Sequence, residues 1–122
     1  MISYILALII LTLVLIGNSL GPTATHISIK YFDSILHLLA GMGLGFFFLG
    51  LTVRGVFRDW HTLGRVTLIV VACGVMWELF EIHFDLSGYA LWTTMYYLDT
   101  VKDLLLDTVG AAVVAYIVVH KE

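Results

Sequence analysis

Asp99-Thr-Val-Lys-Asp103-Leu-Leu-Leu-Asp107-Thr-Val-Gly110 sets three carboxylates four residues apart in a segment otherwise apolar enough to cross a membrane. At about 3.6 residues per turn, positions 99, 103 and 107 share one side of a helix, and the leucines and valines between them cover the rest. Such a stripe has to face something other than lipid, because an Asp at the centre of a membrane helix costs roughly 2.5 to 3.5 kcal/mol on insertion-based scales. The fold and the function both turn on which groups answer those acids.

Outward from this stretch the chain is overwhelmingly apolar. It has 61% hydrophobic and 12% charged residues, with a mean hydropathy of +1.02 over 122 residues. Soluble domains run near ~45–50% apolar and ~25% charged, and one of this length has too little interior to hide the excess. The composition predicts a single integral membrane domain, residues 1–122. The net charge of −3 is concentrated in a few local clusters, and no basic patch suits nucleic acid. The lone Cys73 excludes an intrachain disulfide and any cysteine-spaced zinc motif, and reads as a small core residue.

Four apolar stretches are predicted as spans, at about 1–20, 32–53, 63–82 and 98–119, which gives an all-α antiparallel four-helix bundle in the bilayer. The first lacks the basic flank of a secretory signal and reads as a retained span, ended by Gly21-Pro22. The second opens with Asp33-Ser-Ile-Leu-His37 and carries Gly41 and Gly45, the small-residue spacing that lets membrane helices approach closely. The third carries Trp77-Glu78-Leu-Phe-Glu81 near its far end. Residues 83–97, with Asp85, Ser87, Gly88, Trp92, Tyr96 and Tyr97, suit an interfacial loop with an aromatic belt. Trp77, too, reads as an interface anchor.

Arg54, Arg58 and Arg65 lie at the connection of spans two and three, against only Lys30 between spans one and two. This bias places both termini and Lys121 on the cytoplasmic side. Whatever the orientation, the start of span two, the end of span three and the start of span four meet at one membrane surface. Those are the positions of Asp33 and His37, of Glu78 and Glu81, and of Asp99, Asp103 and Asp107. Asp33 and His37 share a face at i, i+4, and Glu78 and Glu81 at i, i+3. The site would extend from Asp99 near the interface to Asp107 about 12 Å deeper.

Six carboxylates against the single ammonium of Lys102 leave five negative charges if all are ionised. In low dielectric such a surplus has to hold protons, bind cations or open to water. Oxygen ligands with one imidazole suit a divalent cation, Mg, Mn, Fe or Zn, and facing helices of a bundle are an established place to build such a site. The first ligands are His37, Glu78, Glu81 and Asp103, with Asp33 orienting His37 or binding beside it and Asp107 in reserve. Lys102 and Asp99 are accessory, either paired with each other at i, i+3 or with Lys102 neutralising the site across the bundle. His26, His61 and His120 read as solvated, and His83 lies near the acids in depth but off the face of Glu81. The plainer alternative for the buried acids is a protonated, hydrogen-bonded network that only specifies helix packing.

Asp33-x-x-x-His37 early in a glycine-rich span, Glu78-x-x-Glu81 late in another, and Asp103-x-x-x-Asp107-x-x-Gly110 in the last resemble the pattern of the VanZ-like superfamily of small bacterial and archaeal membrane proteins. Within it, the Trp77-Glu78-x-x-Glu81 and Asp99-Thr-x-x-Asp103 stretches resemble the YjdF-like branch. The likeness covers roughly residues 31–119. It implies a four-span bundle in the prokaryotic cytoplasmic membrane and a link to the cell envelope, with glycopeptide resistance known for the namesake, and it implies no settled reaction. Two positions depart from the better-known pattern: Glu81 stands where that pattern has Gln, and Asp107 where it usually has Asn. Both make this site more acidic and favour a cation.

Four classes of function are compatible with these residues. One is a cation or proton site in an envelope protein that acts on or senses a lipid-linked or envelope molecule. A second is a metal-dependent enzyme with Glu78 or Asp103 as general base, although no obvious nucleophile accompanies it. An ion or proton conductor is the third, opposed by the lack of polar groups over Phe46 to Val53 and Val113 to Val119, unless a homo-oligomer supplies a path. The last is a structural or assembly subunit. No organic cofactor, phosphate loop or Ser-His-Asp arrangement is evident.

Overall fold

The structure, a computed structural model, describes residues 2–24, 29–52, 60–86 and 89–120. The described residues form four helices: α1 (Ile2–Ala24), α2 (Ile29–Thr52), α3 (Trp60–Phe84) and α4 (Thr94–His120). No described residue is in a strand. Arg54, Arg58, Asp59, His26 and Lys121 lie outside the described residues, as do Ser87 and Gly88.

Contacts set the direction of each helix. Gly17, Gly43 and Gly50 lie against Leu36, Leu11 and Tyr4 respectively, so α1 runs antiparallel to α2. Gly41 meets Asp107 and Gly45 meets Ala111 and Val114, so α2 and α4 run the same way, while Gly74 against Leu104 and Asp107, together with Glu78 against Thr100, sets α3 antiparallel to α4. The chain is an up-down-up-down bundle. The central helix is α2, packed on α1 and α4, with a slighter contact to α3, and α1 touches α2 alone among the described residues.

The glycines explain why α2 holds that place. In lipid, helices gain little from hiding apolar surface and associate through close packing, which favours small residues at the seam. A Cβ on Gly41 would collide with the Asp107 carbonyl, and one on Gly110 with the Leu38 carbonyl. The Gly41 and Gly45 spacing thus lets α2 ride directly on the backbone of α4. Below this seam Leu49, Val66, Val70, Ala111, Val114 and Ala115 form the apolar core. The bundle therefore has an apolar half and, at the other end, a polar half.

Among the described residues, three stretches are long and apolar enough to cross a membrane: Ile2–Ser19, Tyr31–Leu51 and Gly64–Phe84. At 27 residues α4 is long enough as well, and it carries Asp99, Lys102, Asp103 and Asp107 in its first half. Its faces explain how it is accommodated. Val101, Leu105 and Val109 point outward, whereas Asp103 and Asp107 are buried against the neighbouring helices. Exposed Leu and Ile side chains likewise cover the outer faces of α1, where only 6% of the candidate span is buried.

Most helices extend a few residues beyond the predicted spans, farthest at the end of α1 and the start of α4. Helix α1 continues through Pro22 to Ala24; a proline costs one N–H bond and crowds the carbonyl a turn back, and here the helix ends two residues after it rather than before it. Helix α4 begins at Thr94 rather than near residue 98, because Thr93 caps it. The Thr93 hydroxyl accepts from the Tyr96 N–H at 3.4 Å and donates to the Ala90 carbonyl at 2.7 Å. The end of α3 is closed by Leu86 N–H to the Glu81 carbonyl and Asp85 N–H to the Ile82 carbonyl, with Asp85 in the left-handed region at φ 54°. Replacing Thr93 by Ala should lower stability by about 1 kcal/mol, read as a shift of the unfolding midpoint in detergent. An unshifted midpoint would mean that packing alone positions the start of α4.

Candidate cation site

Helix geometry delivers the polar side chains to one place. His37 lies one turn before Gly41, so the seam that seats α2 on α4 also carries the imidazole onto the Asp stripe. His37 is 5% exposed, Asp103 2% and Asp107 3%. The His37 Nδ1 lies 3.3 Å from Asp107 Oδ2. On the other side of the ring, Nε2 lies 3.7 Å from Asp33 Oδ1 and 3.9 Å from Asp103 Oδ2. Ligand atoms of Asp33, His37 and Asp103 all fall within 4.8 Å of one another.

Lys102 takes both of its expected roles. Its ammonium donates to Asp99 Oδ1 at 2.7 Å within α4. It also lies 3.2 Å from Asp103 Oδ1 and, across the helix interface, 3.8 Å from Asp33 Oδ2. One ammonium therefore serves three carboxylates, and none of the remaining charge is balanced by another fixed cation in these contacts.

The two glutamates of α3 stand apart from this group. Glu78 is buried, and its Oε2 accepts from the Thr100 hydroxyl at 2.8 Å. Glu81 Oε1 accepts from the Trp77 indole N–H at 2.8 Å, four residues back on the same helix. Trp77 therefore holds a carboxylate rather than acting simply as an interface anchor, and Tyr96, expected in the aromatic belt, is buried at 6% exposure. Of the six residues read as ligands, Asp33, His37 and Asp103 converge, Asp107 stands behind the imidazole, and Glu78 and Glu81 are engaged with hydrogen-bond donors of α4 and α3.

Thr100 and Gly74 are the participants that the sequence reading passed over. Thr100 sits one turn before Asp103 on the stripe side, a position that could have revealed it as a donor. Gly74 leaves room for Asp107: a Cβ there would lie 2.7 Å from Asp107 Oδ2. Among the described residues, three buried carboxylate oxygens have no hydrogen-bond partner: Glu78 Oε1, Asp103 Oδ1 and Asp107 Oδ1. Asp103 Oδ1 has the Lys102 ammonium nearby but not aligned as a donor. An orphaned buried acceptor is costly, and all three would be satisfied by protons, donors or a cation.

The donor set fits a small divalent ion. Ligands of a tetrahedral ion with bonds of ~2.1 Å stand about 3.4 Å apart, slightly closer than the observed 3.7 and 3.9 Å around His37 Nε2. One imidazole with two carboxylates suits Mn, Fe or Zn, and Mg with retained water.

Compared with known proteins, residues 1–121 match the family described as "Predicted membrane protein (DUF2238)". None of the curated proteins and none of the solved structures matches the chain.

Proposed function

The chain belongs to the membrane-protein family DUF2238, and on that premise we propose that it is an intramembrane cation-binding protein whose site is built by Asp33, His37 and Asp103. The observation that carries this reading is the division of labour around one imidazole. Nδ1 faces Asp107 and Nε2 faces Asp33 and Asp103; with Asp107 accepting from Nδ1, the Nε2 lone pair would be turned toward the two carboxylates. Such a carboxylate–histidine–metal relay is how proteins orient a metal-binding histidine and strengthen it as a ligand. Asp107 is then the orienting group, and Asp33 and Asp103 are ligands. Protons are the alternative occupants of the same oxygens, and they support a packing network instead. That second reading draws on Glu78 and Glu81, each already engaged by a hydrogen bond.

The resemblance to VanZ-like proteins supports a role in the prokaryotic envelope, in the cytoplasmic membrane, and the excess of arginine between the second and third spans favours both termini on the cytoplasmic side. The test is elemental analysis of protein purified in detergent without chelator, followed by titration of the stripped protein with Mn and Zn. His37→Ala and Asp103→Asn should each abolish binding, and Asp107→Asn should weaken it by about 10- to 100-fold. Glu81→Gln, bound to Trp77 instead, should bind as the unmodified chain does. Metal-free preparations that also ignore added ions would leave the acids to protons and the packing role.

A further inference from the structure

Asp107 is clamped at both ends by glycines. Gly41 of α2 lies against its backbone carbonyl, and the tip of its side chain meets Gly74 of α3, where a Cβ would stand 2.7 Å from Oδ2. Gly74 is itself buried, and Asp107 is 3% exposed. The carboxylate therefore lies between the Gly74 backbone and the His37 imidazole, with Oδ2 3.3 Å from Nδ1. Its other oxygen, Oδ1, has no hydrogen-bond partner among the described residues. With no hydrogen bond holding Oδ1, packing against α3 decides where Oδ2 sits.

The imidazole has carboxylates on both sides. Asp107 faces Nδ1 at 3.3 Å, whereas Asp33 and Asp103 face Nε2 at 3.7 and 3.9 Å. A neutral ring carries one N–H, and the nitrogen with the better acceptor takes it. With Asp107 in place the nearest acceptor is at Nδ1, and Nε2 keeps its lone pair. With Asp107 drawn back, the proton moves to Nε2, toward Asp33 and Asp103, and the lone pair turns away from them. From this balance we propose that Gly74 is the positioning residue of the cation site: its lack of a side chain lets Asp107 reach Nδ1 and so selects the His37 tautomer whose free Nε2 faces Asp33 and Asp103. Its effect on ion affinity rests on Asp33, His37 and Asp103 being the ligands, whereas the tautomer exists without an ion. A methyl group at residue 74 has two obstacles, Asp107 Oδ2 at 2.7 Å and Leu104 Cδ2 at 2.8 Å, and both are side-chain tips. Gly110 differs, because a Cβ there meets the backbone of α2. Side-chain tips can swing, so Gly74→Ala leaves the helices in place and moves the carboxylate.

The test is the nitrogen spectrum of His37 in protein carrying isotopically labelled histidine, recorded in detergent with chelator at a pH alkaline enough for the ring to be neutral. Long-range nitrogen–proton correlations separate Nδ1 from Nε2, and His37→Gln identifies the signals among the five histidines. The unmodified chain should carry its proton on Nδ1, and Gly74→Ala on Nε2. In Mn titrations Gly74→Ala should bind about 10- to 100-fold more weakly, as Asp107→Ala should. In Asp107→Ala there is no carboxylate to displace, so adding Gly74→Ala should change neither the tautomer nor the affinity. Three results would overturn the proposal: Nε2–H in the unmodified chain, Nδ1–H retained in Gly74→Ala, or a second loss of affinity in the double variant. Absence of Mn binding by the unmodified chain would remove the cation reading alone, because the spectrum in chelator still decides the role of Gly74. If Gly74→Ala does not fold, the double variant decides. Folding recovered, with the Nε2–H tautomer of Asp107→Ala, supports the role, and continued failure to fold assigns Gly74 to the packing of α3 on α4.

Discussion

Gly110→Ala is expected to cost about 3 kcal/mol of stability, although it adds a single methyl group. The new Cβ would collide with the Leu38 carbonyl and lie 2.8 Å from the Met42 backbone nitrogen. Both obstacles are backbone atoms of α2, so no rotamer change relieves the clash and the helices must separate. Separation lifts His37 off the Asp stripe, so any ion affinity should fall along with the unfolding midpoint. Gly64→Ala is the matched control, because nothing lies within 4 Å of a Cβ at that position. There the gain in helix propensity, about 0.5–1 kcal/mol, should leave the protein equally or more stable. Denaturation in mixed micelles, followed by helicity, compares the two. Equal behaviour of both variants would mean that the α2–α4 seam is not held by its glycines.

The same seam decides how much could be read in advance. Gly41 and Gly45 announced a close helix approach by spacing alone, and the Asp stripe announced a protected face, because both are local patterns of a single helix. From these and the alternation of spans, the bundle and the gathering of His37, Asp33, Asp103 and Asp107 at one end were legible. What stayed hidden depends on the rotation of one helix about its axis relative to another. Glu78 and Glu81 share a face of α3, yet one reaches Thr100 on α4 and the other turns back to Trp77. Hydropathy cannot separate these two fates, since both satisfy a carboxylate inside an apolar helix. The starts and stops of helices were missed by a few residues for a local reason: Thr93 and Asp85 act through single hydrogen bonds and one left-handed residue, signals weaker than the apolar runs around them.

Lys102→Met should have opposite effects on stability and on ion affinity, and that opposition separates a cation site from a protonated network. In the metal-free protein the ammonium is the fixed charge shared by Asp99, Asp103 and Asp33, at 2.7, 3.2 and 3.8 Å. Its removal strands Asp103, which is 2% exposed. Leaving a buried charge without its partner costs about 3 kcal/mol or more, so the unfolding midpoint should drop sharply in chelator. A divalent ion between Asp33, His37 and Asp103 would, however, sit close to that ammonium and be repelled by it. Without the ammonium, affinity for Mn should rise by about tenfold or more, given a pairwise term of ~4 kcal/mol for unit charges 4 Å apart near a protein surface. Saturating Mn then returns stability by mass action, about 2.7 kcal/mol at a hundred times the dissociation constant. Midpoints of the unmodified chain and of Lys102→Met, each measured in chelator and across a Mn series, contain the whole comparison. A variant that is destabilised in chelator and recovers most of its loss with Mn identifies the oxygens around His37 as cation ligands. A variant equally destabilised with and without Mn assigns Lys102 to helix packing and returns the acids to protons.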